Sequence, residues 1–367
     1  MTKLVNKLII ASLIISGGIL LVQCNASKKS NGSSAKKDLK DYYKNYFYVG
    51  VAVSPQGLKR PEEAQLIIDQ FNSVTPENAM KMGPIHPREN QYNWADADSI
   101  VAFAKRNNIM IRGHNLCWHS QAPAWMFIDS SGGKRDTVSK EKLFERLREH
   151  IHTVVSRYKG SIYAWDVVNE VISDNPNEYF RNSVWYRICG EEFVDKAFIY
   201  AHEADPNALL FYNDYNETNP VKREKIYRMV KSMKDRGIPI DGVGLQCHWG
   251  MYDITEGKID STLKKFADLG LKIQITELDL KVQKSGNGPN RDTIRGYTPE
   301  REEKQTETYD MIFRTFRKYK DVIQSVTFWN VSDRASWLDR GGKAYPLLFD
   351  TTYQPKKAFY KVVYFKK

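Results

Sequence analysis

From residue 42 onward the chain alternates between two kinds of segment. Short β-branched or apolar runs occupy 47–53, 71–75, 109–113, 162–168, 209–213, 242–246, 272–276 and 325–329. Between them, apolar residues recur every three to four positions over 61–70, 95–108, 140–158, 184–204, 221–236, 259–269 and 299–319, with a last such stretch at 356–365. Side chains alternate across a strand and return to one face of a helix after a turn, so these patterns predict strands and helices in turn. Eight strand–helix units predict the α/β class and a single (β/α)8 TIM barrel. Gly- and Ser-bearing segments at 129–136 and 284–291 read as loops that interrupt the alternation without dividing the domain.

In such a barrel the chemistry sits at the C-terminal ends of the strands. Here those ends read Pro-Glu-Asn (76–78), His-Asn (114–115), Asn-Glu (169–170), Asn-Asp (213–214), Gln-Cys-His (246–248), Thr-Glu-Leu-Asp (276–279) and Trp-Asn (329–330). Polar groups therefore crowd one rim. Two of the segments, WDVVNE (165–170) and ITELDL (275–280), are apolar strands finishing in a glutamate. Strict alternation places Asp166, Val168 and Glu170 on one face, and Ile275, Glu277 and Asp279 likewise. The fourth and seventh strands face each other across the ring, so Glu170 and Glu277 are expected to oppose one another in the mouth. Cleavage of a glycosidic bond requires such a pair, one carboxyl protonated to assist the leaving oxygen and one ionised to attack or to activate water. An isolated rim glutamate more often caps a helix or pairs with a lysine; the opposed pair is what favours chemistry.

At these residues the sequence resembles glycoside hydrolase family 10, the retaining endo-1,4-β-xylanases. The segments that carry the resemblance are TPENAMK (75–81), RGHNLCWHSQAPAW (112–125), WDVVNE, FYNDYN (211–216), GLQCHW (244–249), ITELDL and FWNVSDRASW (328–337). The resemblance implies Glu170 as acid/base and Glu277 as nucleophile, with carboxyls about 5–5.5 Å apart. It implies that His248 and Asp279 hold the nucleophile ionised and aimed, and that Asn169 donates to the sugar 2-hydroxyl. Gln246 supports the same centre, and Asn213 is expected to touch substrate. Glu77, Asn78, Lys81, His114 and Trp118 match the polar cluster of the glycone side. Trp329 and Trp337 match the walls of the subsite beside the nucleophile, and Tyr215 a platform on the leaving-group side. Trp94, Trp165 and Trp185 read instead as core. The chain departs from the family pattern at Ala79, Met82 and Asn330, where larger residues, Trp and Gly are usual. The resemblance implies no metal and no cofactor, xylan or xylo-oligosaccharide as substrate, and a monomer.

Composition and charge narrow the alternatives. With 41% hydrophobic residues in 367, the chain can build a large core and is not disordered. The formal charge of +11 suggests nucleic acid until it is located: residues 1–40 hold seven lysines and one acid, and the remainder 48 basic against 43 acidic residues. The surplus lies largely in a leader, so no nucleic-acid partner is expected. Lys3 and Lys7 precede a 15-residue apolar run at 8–22, too short to span a bilayer and typical of a secretory signal. Cys24 then opens the polar stretch 24–41. We therefore expect a signal peptide over 1–23, a tether over 24–41 and the barrel over 42–367. Cys24 resembles a bacterial lipoprotein acylation site, despite Gln23 where a small residue is usual. That implies a membrane-anchored protein exported across the inner membrane, periplasm-facing or at the cell surface. Cys117, Cys189 and Cys247 lack zinc-ligand spacing and read as buried free thiols. Two rivals remain at this point: a barrel hydrolase of β-1,4- or mixed-linkage glucan, and a lipoprotein that binds xylan without cutting it.

Overall fold

Eight strands pair in parallel, each with the next in sequence: β1 (Tyr48–Val53), β2 (Ser73–Pro76), β3 (Met110–Trp118), β4 (Ala164–Asn169), β5 (Leu209–Asp214), β6 (Gly242–Leu245), β7 (Lys272–Lys281) and β8 (Ile323–Phe328). Strand β8 also pairs with β1, in the register Tyr48↔Ser325 to Val51↔Phe328, so the sheet closes. The computed structural model describes residues 38–130, 132–133, 135–284, 292, 296–338 and 344–365. The signal peptide, Cys24, the tether as far as 37 and nearly all of the 284–291 loop lie outside the described residues. Around the barrel run α1 (Pro61–Gln70), α2 (Ala95–Arg106), α3 (Lys140–Tyr158), α4 (Glu192–Ala204), α5 (Pro220–Asp235), α6 (Glu256–Ala267), α7 (Pro299–Lys318) and α8 (Lys357–Val363).

The helices begin where local chemistry starts them. Ser139, Thr255 and Thr298 accept hydrogen bonds from the backbone N–H groups of Lys142, Lys258 and Arg301, satisfying donors that have no partner inside the helix. Asn219 caps α5 through Val221 and Lys222, one residue earlier than apolar periodicity suggested, with Pro220 in the first turn. The expected helix over 184–204 is two: Val184–Cys189, then α4. Gly190, at φ 65°, breaks it by adopting a left-handed conformation that L side chains disfavour. The α3 face that meets the barrel carries Leu143, Leu147, Ile151, Val154, Val155 and Tyr158, all buried. A helix at Leu39–Tyr43 precedes β1, and the Tyr43 hydroxyl donates to the Val362 carbonyl at 2.6 Å, tying it to α8.

The strands depart from strict alternation at the tips that matter most. Pairing of β3 with β4 shifts register between His114 and Cys117, and β4 against β5 between Asp166 and Val168. The β7–β8 register shifts between Ile275 and Leu278. The single face expected for Asp166, Val168 and Glu170 is therefore interrupted by an inserted residue. Such bulges re-aim the side chains beyond them. A short strand, His248–Gly250, pairs with the far end of β7 (Asp279↔His248), which extends the sheet only on that side.

Trp165 and Trp185 are core residues at 1% exposure each, whereas Trp94 is only partly buried, stacked on Tyr92 with the Arg157 guanidinium over it. Cys117, Cys189 and Cys247 are free and buried. Neighbouring strands pack tightly on their outer face: a Cβ added at Gly113 on β3 would lie 2.1 Å from the Trp165 ring on β4. Gly113→Ala should therefore cost about 1–3 kcal/mol through overpacking. Thermal unfolding checks this, and an unchanged midpoint would contradict the packing described.

Candidate active site

Both glutamates reach one cavity of about 390 Å³ at the C-terminal mouth of the barrel, lined by Lys81, His114, Trp118, Asn169, Glu170, Tyr215, Gln246, His248, Glu277, Trp329 and Trp337. Their surroundings differ in kind. Glu277 is buried at 5% exposure, and each of its oxygens has a partner. Asn213 Nδ2 donates to Oε1 at 2.8 Å, and His248 Nε2 lies 3.2 Å from Oε2. Burial by itself would raise the Glu277 pKa. The His248 hydrogen bond, the nearby His114 and His248 charges and the Asn213 amide outweigh it and bring the value down to about 2.

His248 can do this because it stands between two carboxylates. Its Nδ1 is 2.8 Å from Asp279 Oδ2, on the opposite side from Glu277. Burial disfavours the imidazolium, but the charges and hydrogen bonds of Asp279 and Glu277 raise its pKa well above the ordinary 6.5. Both ring nitrogens then carry protons, one for each carboxylate. Asp279 Oδ2 also accepts from Trp337 Nε1 at 2.9 Å, which fixes one cavity wall to the same ion pair.

Glu170 is held by neutral donors. Trp118 Nε1 donates to Oε2 at 2.8 Å and Gln246 Nε2 to Oε1 at 2.9 Å. Its backbone lies at φ 58°, a conformation costly for a residue with a Cβ. Two contacts over-determine it: Glu170 N donates to the Asn213 carbonyl at 2.9 Å, and Arg181 Nε donates to the Glu170 carbonyl at 3.0 Å. Asn169, just before, accepts through Oδ1 from Asn213 Nδ2 (2.9 Å) and Gln246 Nε2 (3.3 Å). A continuous amide chain thus joins the two carboxyls, Glu277–Asn213–Asn169–Gln246–Glu170.

On the other side of the mouth, the Lys81 ammonium lies 5.1 Å from the Trp118 ring centroid and 5.9 Å from that of Trp329, and donates to Asn78 Oδ1 at 3.0 Å. His114 Nδ1 is 2.7 Å from Asp166 Oδ2, an oxygen that Arg112 also contacts. Burial is the largest influence on His114 and lowers its pKa.

A model of the family described as glycosyl hydrolase family 10 matches residues 38–365. The chain belongs to that family. It is 47% identical over 332 residues to a beta-1,4-xylanase of Dictyoglomus thermophilum, covering 89% of this chain and 90% of that one. It is 47% identical over 325 residues to endo-1,4-beta-xylanase B of Paenibacillus barcinonensis, covering 88% and 96%. The crystal structure of xylanase XynB from Paenibacillus barcinonensis, complexed with a conduramine derivative, superposes with a TM-score of 0.85 at 46% identity, covering 90% of this chain and 99% of that one.

Within this family 10 barrel, most residues singled out from sequence meet at one place, with three adjustments. Asn213 does not line the cavity; Gly244 leaves space beside it, and it lies fully buried with its amide spent on Glu277, Asn169 and Thr276. Glu77 and Asn78 are not among the lining residues: Glu77, partly exposed, accepts from Asn330, and exposed Asn78 accepts from Lys81, while Asp279 reaches the cavity through His248, as expected. Tyr215 lines the cavity, but the Lys222 ammonium sits 3.8 Å from its ring centroid, and Arg181 and Asp174 hold its hydroxyl. One ring face is therefore taken by a cation.

Pattern reading missed Arg181, which lies in a loop and carries no periodic signal. It also missed His119, whose Nδ1 is 4.0 Å from Glu170 Oε2. Burial and the Arg181 and Lys222 charges push His119 down to about 4, so it is neutral at neutral pH.

A carboxyl with a depressed folded pKa adds stability above its ordinary value of 4.5, and that stability fades as pH falls toward about 2. In His248→Ala, Glu277 loses its cation while its burial remains, so its pKa should rise. Acid unfolding, followed by circular dichroism, should then begin at higher pH, with about 1–3 kcal/mol lost near neutrality. An unmoved acid transition would show that His248 does not hold Glu277 ionised.

Proposed function

We propose that this chain is an endo-1,4-β-xylanase that cleaves xylan with retention of anomeric configuration. The observation that carries the reading is the contrast between two carboxyls in one cavity: Glu277 buried between a cation and an amide, Glu170 held by an indole and an amide. Glu277, ionised, attacks the anomeric carbon, and the C–O bond to the leaving xylosyl oxygen breaks as Glu170 gives that oxygen its proton. Glu170 then takes a proton from water, and the hydroxide so formed displaces Glu277 and frees the sugar. Two neighbours occupy the Oδ1 of Asn169, so its amide NH2 is the edge left for the sugar 2-hydroxyl, where charge develops in the transition state. Trp329 and Trp337 supply apolar faces for the ring, and Lys81 and His114 polar atoms for its hydroxyls.

The reading over glucan rests on these walls and on the xylanase descriptions of the relatives. Purified protein should release short xylo-oligosaccharides from glucuronoxylan with an early fall in viscosity, and little from barley glucan. The first product should be the β-anomer by proton NMR. Glu277→Ala should lose turnover on every substrate. Glu170→Ala should lose about 10²–10⁴-fold on xylan but much less on aryl xylosides, whose leaving group needs no proton. An α-anomeric first product overturns retention, products from glucan alone overturn the substrate, and equal loss on both substrates by Glu170→Ala overturns its role. Retardation on a xylan gel without products favours the silent binder.

We further propose that residues 1–23 export the chain and that acylated Cys24 anchors it through the basic, polar tether expected over 24–41, whose last residues are instead taken up by the helix at Leu39–Tyr43; Lys28, Lys29, Lys36 and Lys37 follow the cysteine, and the enzyme acts as a monomer. Among the described residues no helix is long and apolar enough to cross a membrane. Cells fed radiolabelled palmitate should label the wild type and not Cys24→Ser, and the variant should move to the soluble fraction. An unlabelled wild type would overturn the anchor.

A further inference from the structure

Asn330 follows Trp329 at the tip of β8, buried at 3% exposure with φ at 92°. Its side chain works in both directions. Nδ2 donates to Glu77 Oε2 at 3.1 Å, and Oδ1 accepts from Trp337 N at 3.4 Å. Glu77 directly follows β2, and Trp337 lies beyond the short 3₁₀ turn Asp333–Ala335. From Trp337 the contacts continue through its Nε1 to Asp279 Oδ2, from Asp279 to His248 Nδ1, and from His248 Nε2 to Glu277 Oε2. One unbroken chain of polar contacts therefore joins a carboxylate on the β2 side of the cleft to the carboxylate that attacks.

We propose that Asn330 is a positioning residue that couples the sugar-binding edge at Glu77 to the alignment of Glu277, by holding Glu77 and the Trp337 loop with one amide. This rests on reading the cavity as a xylan cleft. Chemistry restricts what can stand there. An ionised Glu77 only accepts, and the Trp337 backbone N–H only donates, so the group between them must donate to one and accept from the other. Asn does both with a short side chain and tolerates the left-handed backbone better than other residues with a Cβ. Gly at 330 would keep the backbone and lose both contacts. Asp would keep the acceptor for Trp337 N and turn a second carboxylate toward Glu77.

The N330D substitution makes the proposal sensitive to pH. Glu77 is faced by Lys81 and Asn78 from its own segment, His114 from β3 and Asn330 from β8; burial raises its carboxyl, and these four oppose the rise. Lys81 is in turn faced by Glu277, Glu77 and Glu170. A carboxylate at 330 thus joins three others around one lysine, and repulsion raises the pKa of the pair that it forms with Glu77. Once that pair holds a proton, a carboxylic O–H can donate to the facing carboxylate and restore the lost link. The contact should therefore be broken at high pH and remade as pH falls.

The test is steady-state kinetics of the full chain and of N330G and N330D on xylo-oligosaccharides between about pH 5 and 8, a window that spans a raised carboxyl, with thermal midpoints measured alongside. N330G should lose about tenfold in kcat/KM, shared between a higher KM from the released Glu77 and a lower kcat from the misaligned Glu277, as expected for two lost hydrogen bonds. N330D should fall below N330G at the alkaline end and recover toward or past it at the acid end, its ratio to wild type rising steadily as pH falls. A merely structural role would lower both variants equally at every pH. An N330D profile parallel to wild type, or an N330G whose KM or kcat equals that of wild type, overturns the proposal. N330D is nearly isosteric, so it carries the test alone if N330G does not fold. A wild type inactive on xylan would overturn the functional reading instead, whereas an active wild type with a parallel N330D overturns only this coupling.

Discussion

Closure of the sheet is the constraint on which everything else rests. Strand β8 bonds to β7 on one side and to β1 on the other, and β1 bonds to β2 in turn. Residues at the tips of β2 and β8 are thereby brought within one hydrogen bond of each other across 253 positions of sequence. Opening the ring at this seam would expose two unpaired edges and remove the rim against which Glu77, Trp329 and Trp337 are placed. The helix at Leu39–Tyr43 reinforces the seam from outside. Its Tyr43 hydroxyl holds the Val362 carbonyl, and Tyr43 packs on Phe47 and Phe313.

Within the ring the difficulty is electrostatic, because Glu77, Glu170 and Glu277 all stand close enough to influence one ammonium, that of Lys81. Like charges gathered at low dielectric raise one another's pKa and tend to neutralise. The structure separates them by giving each a different kind of partner. Glu277 receives the imidazolium that Asp279 stabilises from behind, Glu170 receives uncharged N–H donors, and Glu77 receives an amide beside the lysine. The division matches the work of a glycosidase, in which one carboxyl must remain ionised while the other exchanges a proton with each half-reaction.

That separation requires side chains to point where regular strands would not aim them. The bulges in β3, β4 and β7 lie at or just before the site residues, with Glu277 inside that of β7, and Glu170, Cys247 and Asn330 adopt left-handed backbone conformations at three of the tips. Such conformations cost stability and persist only where surroundings over-determine them. At Glu170 the Asn213 carbonyl and the Arg181 guanidinium pin both sides of the peptide. The buried, well-paired barrel beneath supplies the rigidity that permits this irregular rim.

Sequence by itself determined the eight strand–helix units, the polar rim and the two glutamates that meet in its cavity. Each of these is written in local period or in the residues that end an apolar run, and the ordered segments TPENAMK to FWNVSDRASW fix the family. Tertiary structure decided the rest. Gly190 splits the helix expected over 184–204, Asn213 lies beneath the cavity, and Lys222 covers a face of Tyr215. Arg181 acts on Glu170 from a loop with no period at all. The physical reason is common to these cases. Hydrophobic period reports which way a residue faces relative to its own element, whereas a hydrogen bond or a covered ring depends on what another element brings across the closed barrel.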